Sequence, residues 1–119
     1  MRDDVRVIYT DEFRRELGAI PPEQQQRVMG RIAHQERRGW ADGVKAGDLV
    51  PLRDGIWELR VVGRGAAYRV LFAPLPGEAA RLLVLTSCSS KAQLKKRAVM
   101  DAELRRARAR LDHWREQQG

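Results

Sequence analysis

Residues 54–72 read DGIWELRVVGRGAAYRVLF, and this stretch predicts two β-strands joined by a tight turn. Apolar and polar residues alternate along the first arm, as they do in a strand with one buried face. The sequence GRG at 63–65 supplies the turn. If residues 64–65 form a two-residue loop, Arg60 lies directly opposite Arg69, with their Cβ atoms about 5 Å apart on one face.

Two like charges in that arrangement destabilise a sheet, so the arginine pair needs an explanation. One interpretation is that Glu58, on the same face as Arg60, neutralises both arginines. The other is that the pair binds phosphate, because the planar guanidinium fork matches phosphate oxygens and keeps its proton. Judged on repulsion alone, replacing Arg60 or Arg69 would leave the thermal stability unchanged or raise it. The sequence leaves both interpretations open.

The other face of the same two strands is apolar and predicts a core. Trp57, Leu59 and Val61 alternate on the first arm, as do Tyr68, Val70 and Phe72 on the second. Further strands are predicted at 5–10, 49–52 and 82–87. The register of the last strand leaves two sets open for the arginine face, either Leu82, Val84 and Thr86 or Leu83, Leu85 and Ser87.

Three helices complete the prediction. Asp11 is expected to cap a short helix that ends near Leu17, and a second helix spans 20–39, followed by a loop. A long helix is predicted from Lys91 to Gln117, with one apolar face. The fold class is therefore α+β in the order β-α-α-β-β-β-β-α, with a small antiparallel sheet, an N-terminal helical pair on one face and a long C-terminal helix.

Length and charge limit the number of domains and the classes of partner that the sequence allows. The 119 residues predict a single domain over 1–119, and the net charge of +7 favours a polyanionic partner, with nucleic acid foremost. The segment 91–116 holds nine basic and four acidic residues. No apolar run approaches the roughly 20 residues that span a bilayer, the first residues lack the apolar core of a signal peptide, and Cys88 is the single cysteine. We therefore expect a cytoplasmic protein without a membrane partner.

No metal or cofactor is expected from the residue types. His34 and His113 lie far apart in the sequence and, with one cysteine, do not make a metal-binding pattern. Each histidine is better explained as a surface or packing residue. The GRG at 63–65 is interpreted as a turn rather than a phosphate-binding loop.

The sequence resembles a known toxin superfamily. The segments LRDGIWELRV and AYRVLF, the apolar strand that follows, and the lysine-containing segment before the last helix are similar to the RelE/HigB superfamily of type II toxins. The phage Gp49-like HigB group is the most similar branch, and YTDEFRRELGAIPPEQQQRVMGRI fits its opening helices. The resemblance covers roughly residues 5 to 114.

This resemblance implies a metal-independent endoribonuclease, an mRNA interferase that cleaves mRNA in the ribosomal A site and inhibits translation. It also implies a cognate antitoxin from a neighbouring gene, in HigB pairs usually one with a helix-turn-helix domain. The implied partners are therefore that antitoxin, the ribosome and mRNA. Two other functions remain open on the same fold: a ParE-like inhibitor of DNA gyrase, and a RelE-fold RNA-binding protein without catalysis.

The resemblance also assigns roles to individual residues. Arg60 corresponds to a strand residue that contacts mRNA phosphate, Arg69 to the arginine that stabilises charge in the transition state, and Lys91 to an acid or phosphate contact. Glu58 is the candidate base, although beside two arginines it should be a weak one. The candidate RNA-binding residues are Lys95, Lys96, Arg97 and Arg64.

Overall fold

The computed structural model describes residues 4–63, 66–90 and 97–118. Its elements in chain order are β1 (Val5–Tyr9), α1 (Asp11–Gly18), α2 (Pro22–Arg38), α3 (Trp40–Lys45), β2 (Leu49–Arg53), β3 (Ile56–Gly63), β4 (Ala66–Leu75), β5 (Arg81–Ser90) and α4 (Arg97–Gln118). The predicted α+β class and order are confirmed. The short helix α3 is an addition, because it replaces part of the loop expected after the second helix.

The five strands form one mixed sheet in the order β1-β5-β4-β3-β2. Strands β2 to β5 are antiparallel, as their short connections require, whereas β1 pairs with β5 in parallel. The prediction of an antiparallel sheet was therefore wrong for this edge. The first strand is far from β5 in sequence and joins the sheet without a hairpin, so no tight turn dictates its direction.

The central hairpin has the predicted register. Gly63 pairs with Ala66, and Arg60 pairs with Arg69. The turn residues between the two strands lie outside the described part of the chain. One face of this hairpin packs on the α1–α2 pair, in a core that includes Phe13 and Ile32. The six alternating apolar residues predicted for this face all belong to or border that core: Trp57, Leu59, Val61, Tyr68, Val70 and Phe72.

A β-bulge in β5 resolves the register that the sequence left open. Phe72 pairs with Leu85 and Leu71 pairs with Ser87, so Thr86 is the extra residue of the bulge. The Thr86 hydroxyl donates a hydrogen bond to the Leu71 carbonyl at 3.1 Å. Neither predicted alternation holds along the whole strand. Before the bulge, Leu83 and Leu85 join the α1–α2 core while Val84 packs on α4. After the bulge, Ser87 lies opposite Leu71 and Ser89 lies opposite Arg69.

Helix α4 lies on the arginine face but covers only one part of it. Leu104, Ala107 and Leu111 pack on the sheet residues Ile56, Leu71, Ala73 and Val84. Toward the β3–β4 turn, the described part of this face includes exposed side chains, and Val62 is 75% exposed. We call this region, formed by the exposed Arg60 and Val62, the partly buried Arg69 and the buried Glu58 and Ser89, the open face. The helix is described from Arg97, and the predicted start at Lys91 lies outside the described residues.

The residue that caps helix α1 lies one position before the predicted cap, Asp11. Thr10 is the N-cap, and its side-chain oxygen accepts from the Phe13 amide at 3.2 Å. The same hydroxyl donates to the Leu85 carbonyl at 2.7 Å. Asp11 lies in the first turn, where its charge suits the helix dipole. Thr10 therefore joins α1 to β5. The sequence pattern alone does not distinguish a cap by Thr10 from a cap by Asp11.

Within the described residues, no helix combines the length and apolar character needed to cross a membrane.

Candidate nucleic-acid interface

The two opposed arginines share one buried carboxylate. Glu58 Oε1 accepts a hydrogen bond from Arg60 Nε at 3.0 Å, and Glu58 Oε2 lies 3.1 Å from Arg69 Nε. The Glu58 side chain is 3% exposed, against 55% for Arg60 and 20% for Arg69. The second contact is an ion pair without hydrogen-bond geometry, since Oε2 has no hydrogen-bond partner in the structure. The buried carboxylate of Glu58 therefore forms ion pairs with both arginines.

This arrangement confirms the neutralising interpretation and leaves the other one open. A buried carboxylate without a counter-charge would be very costly, so the arginines stabilise Glu58 as much as Glu58 stabilises them. A guanidinium carries five N–H donors. Arg60 donates the one on Nε to Glu58, and Arg69 places its Nε 3.1 Å from Glu58 Oε2 in an ion pair. The remaining N–H groups of Arg60 and Arg69 are on the Nη nitrogens, which form the fork that suits a phosphate. Glu58 can therefore orient the pair while the forks bind an anion.

The pairing also revises the expected effect of losing an arginine. Repulsion alone predicts that replacing Arg69 leaves stability unchanged or raises it. In the structure Arg69 is four-fifths buried and pairs with Glu58, so its removal leaves a buried carboxylate with half of its counter-charge. Arg60 is more than half exposed, so its ion pair contributes less.

A third cation approaches the end of the central hairpin from α2. The Arg27 guanidinium packs so close to Gly63 that a Cβ atom at this position would overlap it. Arg27 also donates a hydrogen bond to the Gln24 side chain at 3.1 Å. Any side chain at position 63 would therefore require the Arg27 side chain to move. Sequence reasoning missed this contact because an exposed-looking arginine on a helix gives no local signal of where its side chain ends.

A second polar network fixes the outer edge of β5. Arg110 Nη1 donates to Glu16 Oε1 at 2.9 Å, to the Thr86 carbonyl at 2.9 Å and to Ser87 Oγ at 3.1 Å. Glu16 Oε1 also accepts from the Cys88 amide at 3.0 Å. The network joins α1, α4 and the bulge of β5. It too was missed from the sequence, since Arg110 and Glu16 are 94 residues apart.

The chain is also similar to a known protein family. The profile of the family described as Phage derived protein Gp49-like (DUF891) matches residues 15–112. The chain belongs to the Gp49-like family. This family is of the RelE/HigB toxin type, and membership indicates a toxin of a toxin–antitoxin pair. No curated protein and no solved structure matches the chain.

The structure brings together three of the residues predicted for the site of this Gp49-like protein: Glu58, Arg60 and Arg69. Four others, Lys91, Lys95, Lys96 and Arg64, lie outside the described residues. Arg97 is exposed at the first described position of α4. His34 and His113 are exposed on α2 and α4, apart from the open face.

Replacing Glu58 should expose the repulsion that it now balances. We expect Glu58→Gln to lower the free energy of unfolding by about 3 kcal/mol, because one buried member of the network is removed. Arg60→Ala should cost less than about 1 kcal/mol, since Arg60 is largely exposed. Denaturant titrations of both variants and the wild type measure the difference. Salt at about 1 M should reduce the loss in Glu58→Gln by screening the arginines. Equal losses in the two variants would contradict a buried bridging role.

Cys88 should be chemically inert in the folded protein. Burial, assisted by the charge of Glu16, raises the pKa of its thiol from 9.0 to about 12. Because the raised pKa means that the folded protein favours the neutral thiol, the burial of Cys88 is compatible with full stability below pH 9. The free energy of unfolding should fall as the pH rises from 9 toward 12, where the unfolded chain ionises its thiol first. We expect iodoacetamide at pH 8 to modify the native protein at least about 100-fold more slowly than the denatured protein. Comparable alkylation rates in the two states would show that the thiol is accessible.

Proposed function

We propose that this Gp49-like protein is the toxin of a type II toxin–antitoxin pair and acts as a ribosome-dependent mRNA endoribonuclease in the cytoplasm. The observation that supports it most is the pair Arg60 and Arg69, which Glu58 holds opposite each other on the open face. Both forks belong to central strands, whose rigidity fixes their separation. A scissile phosphate gains negative charge in the transition state, and positioned guanidinium groups stabilise that charge.

The proposed reaction is attack of an RNA 2′-oxygen on the adjacent phosphorus. The new bond joins the 2′-oxygen to phosphorus, the bond from phosphorus to the 5′-oxygen breaks, and the products are a 2′,3′-cyclic phosphate and a 5′-hydroxyl. The 2′-hydroxyl proton must leave and the departing oxygen must gain a proton. Arg60 and Arg69 supply the charge stabilisation. Lys91 remains the proposed acid or phosphate contact, with Lys95, Lys96, Arg97 and Arg64 as further RNA contacts.

For Glu58, the candidate base, we infer a positioning role instead. The burial of its side chain, which is 3% exposed, and its contacts with Arg60 and Arg69 support this role. The ribosome is the proposed source of the orientation that isolated RNA lacks, and it can also contribute to proton transfer. Cleavage of free RNA should accordingly be slow.

Loss of either arginine should abolish activity while the fold persists. We expect Arg60→Ala and Arg69→Ala to lose toxicity and to lower mRNA cleavage by at least about 100-fold, the effect of removing one transition-state donor. Arg37→Ala is the matched control, because Arg37 is an exposed arginine of α2. The measurement is growth after induction, together with sequencing of cellular mRNA 5′ ends.

The pattern of ends distinguishes the alternatives. Cuts within translated codons support the proposed endoribonuclease. DNA damage without mRNA cuts would indicate the ParE-like gyrase inhibitor, and RNA binding with neither outcome would indicate a non-catalytic RNA-binding protein. Full cleavage by both arginine variants would contradict the assigned roles.

Cleavage should need no catalytic metal ion. The one carboxylate at the arginine pair, Glu58, is already paired with two cations and is a poor ligand for a divalent ion. We expect cleavage on translating ribosomes to persist when free metal is chelated to a level that still keeps the ribosome intact. End-group analysis should find 2′,3′-cyclic phosphate and 5′-hydroxyl ends. Ends with a 5′-phosphate, or strict dependence on an added metal, would exclude this mechanism.

A cognate antitoxin, of helix-turn-helix type as in HigB pairs, is the proposed protein partner. The basic segment 91–116, the cations of the open face and the apolar stripe of α4 that ends in Trp114 favour an acidic or apolar antitoxin segment. This segment would cover the face or displace α4. We expect the affinity to fall at least about tenfold between 0.1 and 1 M salt, because exposed charges are screened over that range. Affinity measured by calorimetry that stays constant across this range would argue against a charge-dominated interface.

A further inference from the structure

The bulge in β5 determines which side chains face the arginine pair. Side chains on a strand alternate, so without an extra residue Cys88 would share the face of Val84, and Ser87 and Ser89 would share the face of Leu85. Thr86 adds one residue and exchanges the two sets. Cys88 therefore packs in the core under the α1–α2 pair, while two serine hydroxyls face the other way. Bulges beside functional sites commonly re-aim a side chain in this manner.

As a result, one transverse row of the sheet carries two guanidinium groups and a hydroxyl. Arg60 pairs with Arg69, and Arg69 pairs with Ser89, so the three side chains project from the same face of β3, β4 and β5. Adjacent strands are about 4.8 Å apart, and the row therefore spans about 10 Å. This length suits neighbouring groups of one nucleotide chain that crosses the strands.

Ser89 also lines a cleft between α1, α4 and the end of β5. The cleft has a volume of about 670 Å³, within the range of small-molecule sites. Its lining combines apolar residues, among them Ile20, Pro21 and Val99, with Ser90, the largely buried Ser89 and three charged residues, Glu16, Glu103 and Arg106. Glu16 is paired with Arg110. Glu103, on the same wall, is paired with Arg106, so its carboxylate is not an isolated negative charge against an anion. Glu103 Oε2 is nevertheless buried without a hydrogen-bond partner in the structure.

We propose that this cleft binds one ribonucleoside of the RNA chain and that Ser89 hydrogen-bonds its 2′-hydroxyl. This inference rests on the proposed function, since the adjacent phosphate is placed at Arg69. A guanidinium can only donate hydrogen bonds, whereas a serine hydroxyl both donates and accepts, as a 2′-hydroxyl does. The 2′-hydroxyl is also the group that distinguishes RNA from DNA at a contact. Arg60 and Arg69 then provide affinity for either backbone, and Ser89 provides the preference for ribose.

The test compares single-stranded RNA and DNA oligonucleotides of one sequence, each labelled for fluorescence anisotropy at low salt. We expect the wild type to bind RNA about three- to tenfold more tightly than DNA, the usual range for one hydrogen bond. Ser89→Ala should bring the RNA affinity down to the DNA affinity and leave DNA binding within about twofold. Ser87→Ala is the matched control, because its hydroxyl already accepts from Arg110. That variant should keep the RNA preference.

Cleavage by the same proteins on translating ribosomes separates the two proposals. A wild type that prefers RNA through Ser89 but cuts no mRNA would overturn the endoribonuclease and leave the ribose contact standing. Cleavage by the wild type with an unchanged RNA preference in Ser89→Ala would overturn the ribose contact alone. Equal wild-type affinity for RNA and DNA, or equal loss for both in Ser89→Ala, would also overturn it. Melting temperatures of the variants within about 2 °C of the wild type identify a binding effect rather than misfolding.

Discussion

A buried carboxylate between two opposed arginines is the constraint on which the open face depends. Without Glu58, Arg60 and Arg69 would repel each other across a central pair of strands. Without the arginines, Glu58 would be an uncompensated charge beneath the sheet surface. Each Nε is committed to this balance, so the orientation of both forks is set before any ligand arrives. Preorganised donors of this kind lose little entropy on binding, which is what recognition of a charged transition state requires.

The rest of the fold packs on both faces of the sheet yet leaves one member of this triad, Arg60, more than half exposed. The α1–α2 pair covers one face completely enough to bury Phe13 and Ile32. On the other face α4 covers the part around Leu71 and ends its coverage before Val62, which remains exposed. The polar ties of Arg110 hold α4 to the bulged strand and thereby fix the boundary between the packed and open regions. Apolar packing and the basic surface thus share one face without competing.

The sequence predicted the parts of this structure that depend on local pattern. The expected turn at 63–65 predicted the Arg60–Arg69 register, and period-two alternation identified the apolar face of the hairpin. It did not predict features set by contacts distant in sequence. The bulge at Thr86 depends on packing both faces of β5, and the Glu16–Arg110 pair joins residues that no pattern connects. For the site, the strand pattern indicated the cations and their possible neutraliser, but only the coordinates show that Glu58 is 3% exposed and lies against both arginines.

We propose that Glu58 orients the Arg60 and Arg69 forks for an RNA backbone, and side-chain NMR of the guanidinium groups can test this orientation. Spectra of ¹⁵N-labelled protein would be recorded before and after addition of single-stranded RNA, with Glu58→Gln used to assign the Nε–H signals of the two arginines that lie against it. We expect both Nε–H signals to persist in the complex while the Nη signals of the same residues shift. Unperturbed Nη signals at saturating RNA, or shifts confined to arginines of α2, would contradict it.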